Sequence, residues 1–117
     1  MLRLLKIQEL LEAEVLTNTI DLDMTISAVK ASDLMSDVLT DCESGSLLLT
    51  GLTNAQSVRT AIVVDVTTIV FVRGKRPPVE TVKLAEESKI PLLLTKLSMF
   101  DACGVLYSQN TIKRKAE

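Results

Sequence analysis

The sequence predicts an α/β domain, built as a mainly parallel sheet with helices on both faces. Three observations point there. Segments with helical apolar spacing alternate along the chain with short apolar runs, the order in which crossover helices and parallel strands follow one another. The runs "SLLLT" and "TTIVFV" lack the polar alternation of a half-exposed strand and read as strands buried on both faces. Phe71, Phe100 and Tyr107 are the only aromatics while 47% of the chain is apolar, so the core is made of Leu, Val, Ile and Ala. At 117 residues the chain is long enough for one core and too short for two. We expect one domain over 1–110 and a charged tail over 111–117, with no linker and no internal repeat.

The first helix is read in "LRLLKIQELLEA", where Leu4, Ile7, Leu10 and Leu11 recur at helical spacing and Lys6, Glu9 and Glu12 lie elsewhere. "EVL" then reads as a short strand, "TNTIDLDMT" as a polar turn and "ISAVKAS" as a second strand. In "ASDLMSDVLTDCESG" an apolar stripe of Leu34, Met35, Val38, Leu39 and Cys42 marks an amphipathic helix. Ser32 is its expected N-cap, and Gly45 the left-handed residue that closes it. "SLLLT" is a buried strand; "GLTNAQSVRTAIVVDV" turns and becomes helical, with Thr53 or Asn54 as the cap. "TTIVFV" is a β-branched strand. "RGKRPP" breaks it and places Pro78 in the first turn of the helix "PVETVKLAEESK". Glu80 early and Lys89 late suit the dipole of that helix. "IPLLLT" is the last strand, and Ser98 with Asp101 resembles a capping box opening "MFDACGVLYSQN".

Composition excludes several functions. A net charge of −2 and three aromatics supply neither the basic footprint nor the stacking platform of a nucleic-acid binder. Two cysteines, Cys42 and Cys103, without any histidine make neither a disulfide framework nor a zinc site. The lack of histidine also removes the usual general base, and both cysteines fall on apolar stripes, where core thiols belong. No apolar run reaches the roughly 18 residues of a membrane span. The opening "MLRLLKIQELLEAEVL" carries a charge every few residues, unlike a secretory signal. The only Gly-Lys step, Gly74-Lys75, is followed by Arg76 and has no Gly five residues before it, so the phosphate-loop pattern of nucleotide kinases is absent. We expect a cytoplasmic, non-enzymatic protein with no cofactor and no metal, bound to neither nucleic acid nor membrane.

Asp33, Asp37 and Asp41 recur four residues apart, which on a helix puts three carboxylates on one face. A hard cation wants several convergent oxygens, and this row lies opposite the apolar stripe, so a solvated face is the plainer reading. Like charges at that spacing cost about 0.2–0.5 kcal/mol per pair. We therefore expect Asp33 and Asp37 to face cations, from Lys30, from the Arg73–Arg76 loop or from a second subunit.

In open α/β sheets ligands collect at the carboxyl ends of the strands. Four such ends are expected: Ser32-Asp33, Thr50-Gly51-Leu52-Thr53-Asn54, Arg73-Gly74-Lys75-Arg76 and Thr95-Lys96-Leu97-Ser98. Parallel strands bring them to one edge, with free helix N-terminal N–H groups, hydroxyls and cations, a chemistry that suits a phosphate or carboxylate. The expected ligand-binding residues are Ser32, Asp33, Thr50, Gly51, Thr53, Asn54, Arg73, Lys75, Arg76 and Lys96. The plain alternative makes the hydroxyls and Asn ordinary caps, and the Arg and Lys ordinary surface.

Four stretches carry a resemblance: "SDLMSDVL" (32–39), "LLLTGLTN" (47–54), "IVFVRGKRPPVETVKLAEESKIPLL" (69–93) and "TKLSMFDACGVLY" (95–107). Together they resemble a DRTGG domain over about residues 3–107. DRTGG domains are similar to the N-terminal domain of bacterial HPr kinase/phosphorylase, and occur as regulatory segments in long phosphotransacetylases and between CBS domains in some pyrophosphatases. The resemblance implies an α/β fold like that N-terminal domain, a non-catalytic regulatory or ligand-sensing role, and frequent dimerisation. The family's signature, Asp-Arg followed by Thr-Gly-Gly, falls on "DMTISAV". Asp23 is kept, Met24 stands for Arg, Ser27 for Thr, and Ala28-Val29 for the glycine pair. Ala-Val does not permit the close backbone approach of two glycines, so the loop loses the feature on which anion binding there would rest. Residues and resemblance together lead to a regulatory domain that binds an anionic small metabolite or nucleotide at the sheet edge and acts as a homodimer. The alternative is a ligand-free protein–protein interaction or dimerisation module.

Overall fold

A computed structural model describes residues 1–18 and 21–109. In chain order the elements are β1 (Leu2–Arg3), α1 (Leu4–Leu11), β2 (Glu14–Val15), β3 (Thr25–Ile26), β4 (Val29–Ala31), α2 (Met35–Asp41), β5 (Leu47–Thr50), α3 (Ala55–Val64), β6 (Thr68–Phe71), α4 (Val79–Glu87), β7 (Leu92–Leu94) and α5 (Met99–Tyr107). A five-stranded sheet runs in the order β2-β7-β6-β5-β4. From β4 to β7 the neighbours are parallel, with Lys30 beside Leu48, Leu48 beside Ile69 and Ile69 beside Leu92. β2 closes one edge antiparallel, Glu14 facing Leu94. β1 and β3 form a separate two-stranded antiparallel ladder. The predicted class, α/β with a mainly parallel sheet, is the one found.

The pleat divides the core into two layers. Leu47, Leu49, Val70, Val72 and Leu93 meet Leu4, Ile7 and Leu11 of α1 and Ala102 and Leu106 of α5. On the other face Leu48, Ile69, Phe71, Leu92 and Leu94 meet Met35 and Val38 of α2, Val58 and Ala61 of α3, and Ala85 of α4. Helices on both faces explain why β5 and β6 read as unbroken apolar runs: all four residues of each are buried. Burying one such side chain contributes about 1.5–3 kcal/mol, so these two layers are the main source of stability. Polar groups inside them are matched. Thr81 donates to the Thr53 carbonyl at 2.8 Å and Thr95 to the Leu11 carbonyl at 2.6 Å. Among the described residues, no buried side-chain nitrogen or oxygen lacks a partner.

Most element positions follow the sequence reading, and the departures have local causes. The expected strand "ISAVKAS" is split. Thr25–Ile26 pairs with the chain start, and only Val29–Ala31 joins the main sheet. A turn in which the Asp21 carboxylate accepts the Asp23 N–H at 3.0 Å delivers the first piece to β1. The helix expected to follow an N-cap at Ser32 starts at Met35, with Leu34 in the cap position. The Ser32 hydroxyl accepts the Leu34 N–H at 3.0 Å and so makes a turn instead of a cap. Asp33 consequently lies ahead of the helix, and the three-carboxylate face does not form. Of the expected stripe, Met35 and Val38 are buried, while Leu34 and Leu39 remain 58% and 46% exposed.

Asn54 caps α3, its side chain accepting the Gln56 N–H at 3.0 Å, and Ser98 caps α5 by accepting the Asp101 N–H at 3.0 Å. Pro78 is the N-cap of α4 rather than part of its first turn. Lys89 lies past the end of α4 with φ of 59°, so its charge does not fall in the last turn. Gly45 is left-handed, at φ of 84°, but follows a helix already closed at Cys42. The charged tail 111–117 and part of the turn "TNTIDLDMT" lie outside the described residues. Among the described residues, no helix is long and apolar enough to cross a membrane.

Phe71 is fully buried on the α3–α4 side of the sheet. Phe71→Ala is expected to cost about 3–5 kcal/mol, read as a lower urea midpoint with an unchanged slope; a loss under 1 kcal/mol would contradict this core assignment.

Candidate functional site

Because β4, β5, β6 and β7 run parallel and in register, their carboxyl ends lie side by side. Each turns away by its own device. At the β5 tip the Thr50 hydroxyl accepts the Leu52 N–H at 3.1 Å, and just past β7 the Thr95 hydroxyl accepts the Leu97 N–H at 3.2 Å. Ser32 does the same for Leu34 after β4. Three of the tips thus share one pattern, a hydroxyl residue two positions before a leucine. The residue between them, Asp33, Gly51 or Lys96, stands on the rim.

The β6 tip differs. Arg73 and Gly74 both have positive φ, 64° and 65°, and the Lys75 N–H reaches back to the Val72 carbonyl at 3.4 Å. Two left-handed central residues mark a primed turn, for which Asn and Gly are the usual occupants. Arg73 in the first place costs roughly 1–2 kcal/mol. Backbone bonds hold it there: Arg73 N–H to the Leu97 carbonyl and Gly74 N–H to the Thr95 carbonyl, both at 2.8 Å.

This turn aims the Arg73 side chain at the neighbouring tip. The guanidinium lies so close over Gly51 that a Cβ there would collide with it. Asp33 completes the group: one carboxylate oxygen accepts the Gly51 N–H at 2.6 Å and the Thr50 hydroxyl at 3.3 Å. The other lies 3.6 Å from Arg73 Nη1. Asp33 therefore faces a cation of the Arg73–Arg76 loop, as expected. Lys30 pairs instead with Asp41 at 3.3 Å. Among the described residues Asp37 forms no ion pair; it lies in the first turn of α2, where the helix dipole favours a carboxylate.

Of the ten expected site residues, Asp33, Thr50, Gly51 and Arg73 are joined by direct contacts. Lys96 adjoins the Arg73 loop: a Cβ at Gly74 would lie in van der Waals contact with its side chain. Lys75 is exposed on the same turn. Ser32 is committed to its local turn and Asn54 to capping α3. Thr53 is buried, and its carbonyl accepts from Thr81. The caps Asn54 and Ser98 each take up a helix N–H, so the rim offers fewer free helix N-terminal donors than expected.

Arg76 turns outward to Glu14 of β2, in a two-bond pair at 2.7 and 3.2 Å. That bond holds the Glu14 carboxyl below the usual carboxylate range, against a smaller upward push from desolvation, and raises Arg76. The pair is exposed and contributes little to stability.

Glu14 was not anticipated at the rim, and Thr95 was expected there as part of a strand end but not among the binding residues. Glu14 left no sequence signal, since its partner is 62 residues away. Thr95 did leave one: "LLLTGL" (47–52) recurs as "LLLTKL" (92–97), a short repeat of the strand-and-turn unit that corrects the expectation of none.

The signature segment 23–29 occupies the other pole. The Ala28 carbonyl accepts from Leu47 N–H at the amino end of β4, and Met24 receives the Thr68 hydroxyl on its sulfur at 3.4 Å. Met24 lines two clefts there, of about 470 and 520 Å3. Among the described residues, no three His, Cys, Asp or Glu side chains gather as a metal site. Burial pushes both thiols, Cys42 and Cys103, up from the ordinary value.

No family model matches the chain, and no curated protein matches it. A solved structure does: the CBS and DRTGG domains of the regulatory region of Clostridium perfringens pyrophosphatase, complexed with its activator, diadenosine tetraphosphate. The TM-score is 0.70 at 21% identity, over 86% of this chain. The chain resembles a DRTGG domain. It spans 44% of the pyrophosphatase chain, and at this identity what the two share is the fold. That fold is α/β with a mainly parallel sheet, in agreement with the DRTGG resemblance of the sequence.

The Glu14–Arg76 tie is complete above the ordinary Glu pKa, about 4.3, and is lost as pH falls through the lower folded value. In a carboxyl NMR titration Arg76→Gln is expected to move Glu14 back up toward its ordinary value. An unmoved Glu14 curve would mean the pair is open in solution.

Proposed function

We propose that this chain is a non-catalytic regulatory domain that binds the terminal phosphoryl group of a nucleotide or similar anionic metabolite at the strand-tip rim, and that it works as a homodimer. The observation that carries this reading is Arg73. A residue in costly backbone geometry persists where its surroundings over-determine it, commonly at binding sites. Here the cost places a guanidinium over the Gly51 backbone, facing the same Asp33 carboxylate as the Thr50 hydroxyl. A planar guanidinium suits phosphate oxygens, and Lys75 and Lys96 add positive charge nearby. The pyrophosphatase regulatory region, of which 44% matches this chain, was solved with a ligand whose charge lies in a phosphate chain, which supports a phosphate-bearing ligand here, although that phosphate chain is capped by adenosine at both ends. A regulatory rather than catalytic role agrees with the chemistry at hand: the chain has no histidine, and thiols pushed up by burial are poor nucleophiles at neutral pH.

One observation favours dimerisation as a second component or as the whole function. α5 is apolar on both sides. Its outer side carries Phe100, 85% exposed, and Tyr107, 58% exposed. With Val29 and Ala31 of the edge strand they line an apolar cleft of about 340 Å3. Such a helix face calls for a covering partner, and the homodimer expected from the DRTGG resemblance would supply one.

Two measurements test these readings. Pyrophosphate or ATP at ten times its Kd is expected to stabilise the chain by about 1.4 kcal/mol, a rise of about 5 °C in Tm for a domain of this size. Arg73→Asn, which the left-handed position tolerates, should keep the fold and lose that rise; no rise with any phosphate compound would end the ligand reading. In sedimentation analysis the chain is expected to be a dimer and Phe100→Glu a folded monomer. A monomeric wild-type chain at high concentration would end the dimer reading.

A further inference from the structure

The donors at the rim already hold a carboxylate that belongs to the chain itself. The Gly51 N–H, the Thr50 hydroxyl and the Arg73 guanidinium converge on the two oxygens of Asp33, at 2.6, 3.3 and 3.6 Å. A backbone N–H, a hydroxyl and a guanidinium around one small anion form the kind of donor set that grips a phosphoryl or carboxylate end. We propose that Asp33 is an internal stand-in for the ligand, and that binding exchanges its carboxylate for the ligand's terminal phosphoryl group. This rests on the rim reading above and adds to it how the site is kept in check and which anions can enter.

Three features fit an exchangeable carboxylate better than a fixed brace. Asp33 is carried on the turn after an edge strand, and its side chain is 53% exposed, so on release it returns to water without crossing the core. Its contact with Arg73, at 3.6 Å, is longer than the 2.7–2.9 Å of a charge-assisted hydrogen bond, and the guanidinium makes no side-chain hydrogen bond among the described residues. A brace alone would need only an oxygen on the Gly51 N–H, which Ser or Asn supplies as well. It would leave unexplained why the Arg73 guanidinium is laid over Gly51 beside that oxygen.

Exchange keeps the buried Gly51 N–H satisfied in both states, which lowers the barrier to ligand entry. It also makes affinity a difference between two anions competing for one donor set. A terminal phosphoryl group carrying nearly two charges displaces a carboxylate, whereas a singly charged carboxylic acid has no advantage over Asp33. The site therefore selects nucleoside polyphosphates, pyrophosphate and phosphomonoesters over carboxylic metabolites. Release of Asp33 frees the turn leading into α2, so occupancy is felt at the edge of the sheet.

The test is calorimetric titration of pyrophosphate, and separately of acetate, into the full chain and into Asp33→Asn, Asp33→Ala, Arg73→Asn and the Asp33→Asn/Arg73→Asn pair. Asn at 33 keeps an acceptor for the Gly51 N–H and removes the charge. Pyrophosphate is expected to bind Asp33→Asn on the order of tenfold more tightly than wild type. Acetate should bind measurably only when the Asp33 charge is gone, and the double variant should lose both gains. Should wild type bind pyrophosphate through Arg73 while Asp33→Asn binds no tighter, the exchange is overturned and the rim reading stands. Should neither protein bind pyrophosphate, both fall together. A second readout needs no variant at position 33: saturating wild type with pyrophosphate should shift the Asp33 carboxyl carbon resonance toward that of a free aspartate. A resonance that stays put under saturation overturns the exchange even if every variant misfolds.

Discussion

The parallel ladder from β4 to β7 is the constraint on which the rest depends. Parallel pairing demands crossovers, crossovers put helices on both faces, and two covered faces require strands of Leu, Val, Ile and Phe. The same ladder fixes direction. Once Leu48, Ile69 and Leu92 lie level, the four chain segments that leave the strands have no choice but to emerge together. Arg73 and Asp33, forty residues apart in the chain, become neighbours without any local sequence relation.

Electrostatically the rim is balanced rather than bare. Arg73 is matched by Asp33, and Arg76 by Glu14, so two of the cations that look exposed in the sequence arrive with carboxylates attached. Lys75 and Lys96 form no ion pair among the described residues. The positive charge at the rim is therefore smaller than a count of Arg and Lys suggests, and its unmatched part lies with Lys75 and Lys96.

Much of the fold could be read from local chemistry. The runs around Leu48 and Val70 are legible because burial on both faces removes alternation, and Asn54 and Ser98 are legible because capping is a contact between residues two or three apart. What failed to show was decided at a distance or by competition. Ser32 carries the chemistry of a cap, but its hydroxyl had a closer N–H to satisfy, so the helix began two residues later. Ile26 looks like the start of β4; a ladder with residues 2 and 3 claims it first, together with Thr25 from the expected turn. At the site, gathering of the tips was legible from topology, whereas the Arg73 backbone and the Glu14 tether depend on partners that no spacing rule reaches.

The recurrence of "LLLTGL" as "LLLTKL" has a consequence for how the sheet finds its alignment. The two segments flank β6, yet they are used one step out of phase: Leu48, the second leucine of one, is level with Leu92, the first of the other. A one-residue slip inverts which side chains face which layer, and a triplet of identical leucines buried on both sides is indifferent to it. Only the threonine is not. Thr50 finds its oxygen partner on Asp33, and Thr95 finds its own on α1, at the Leu11 carbonyl. In a lattice of interchangeable hydrocarbon, two hydroxyl groups act as the vernier that tells each strand where to stop.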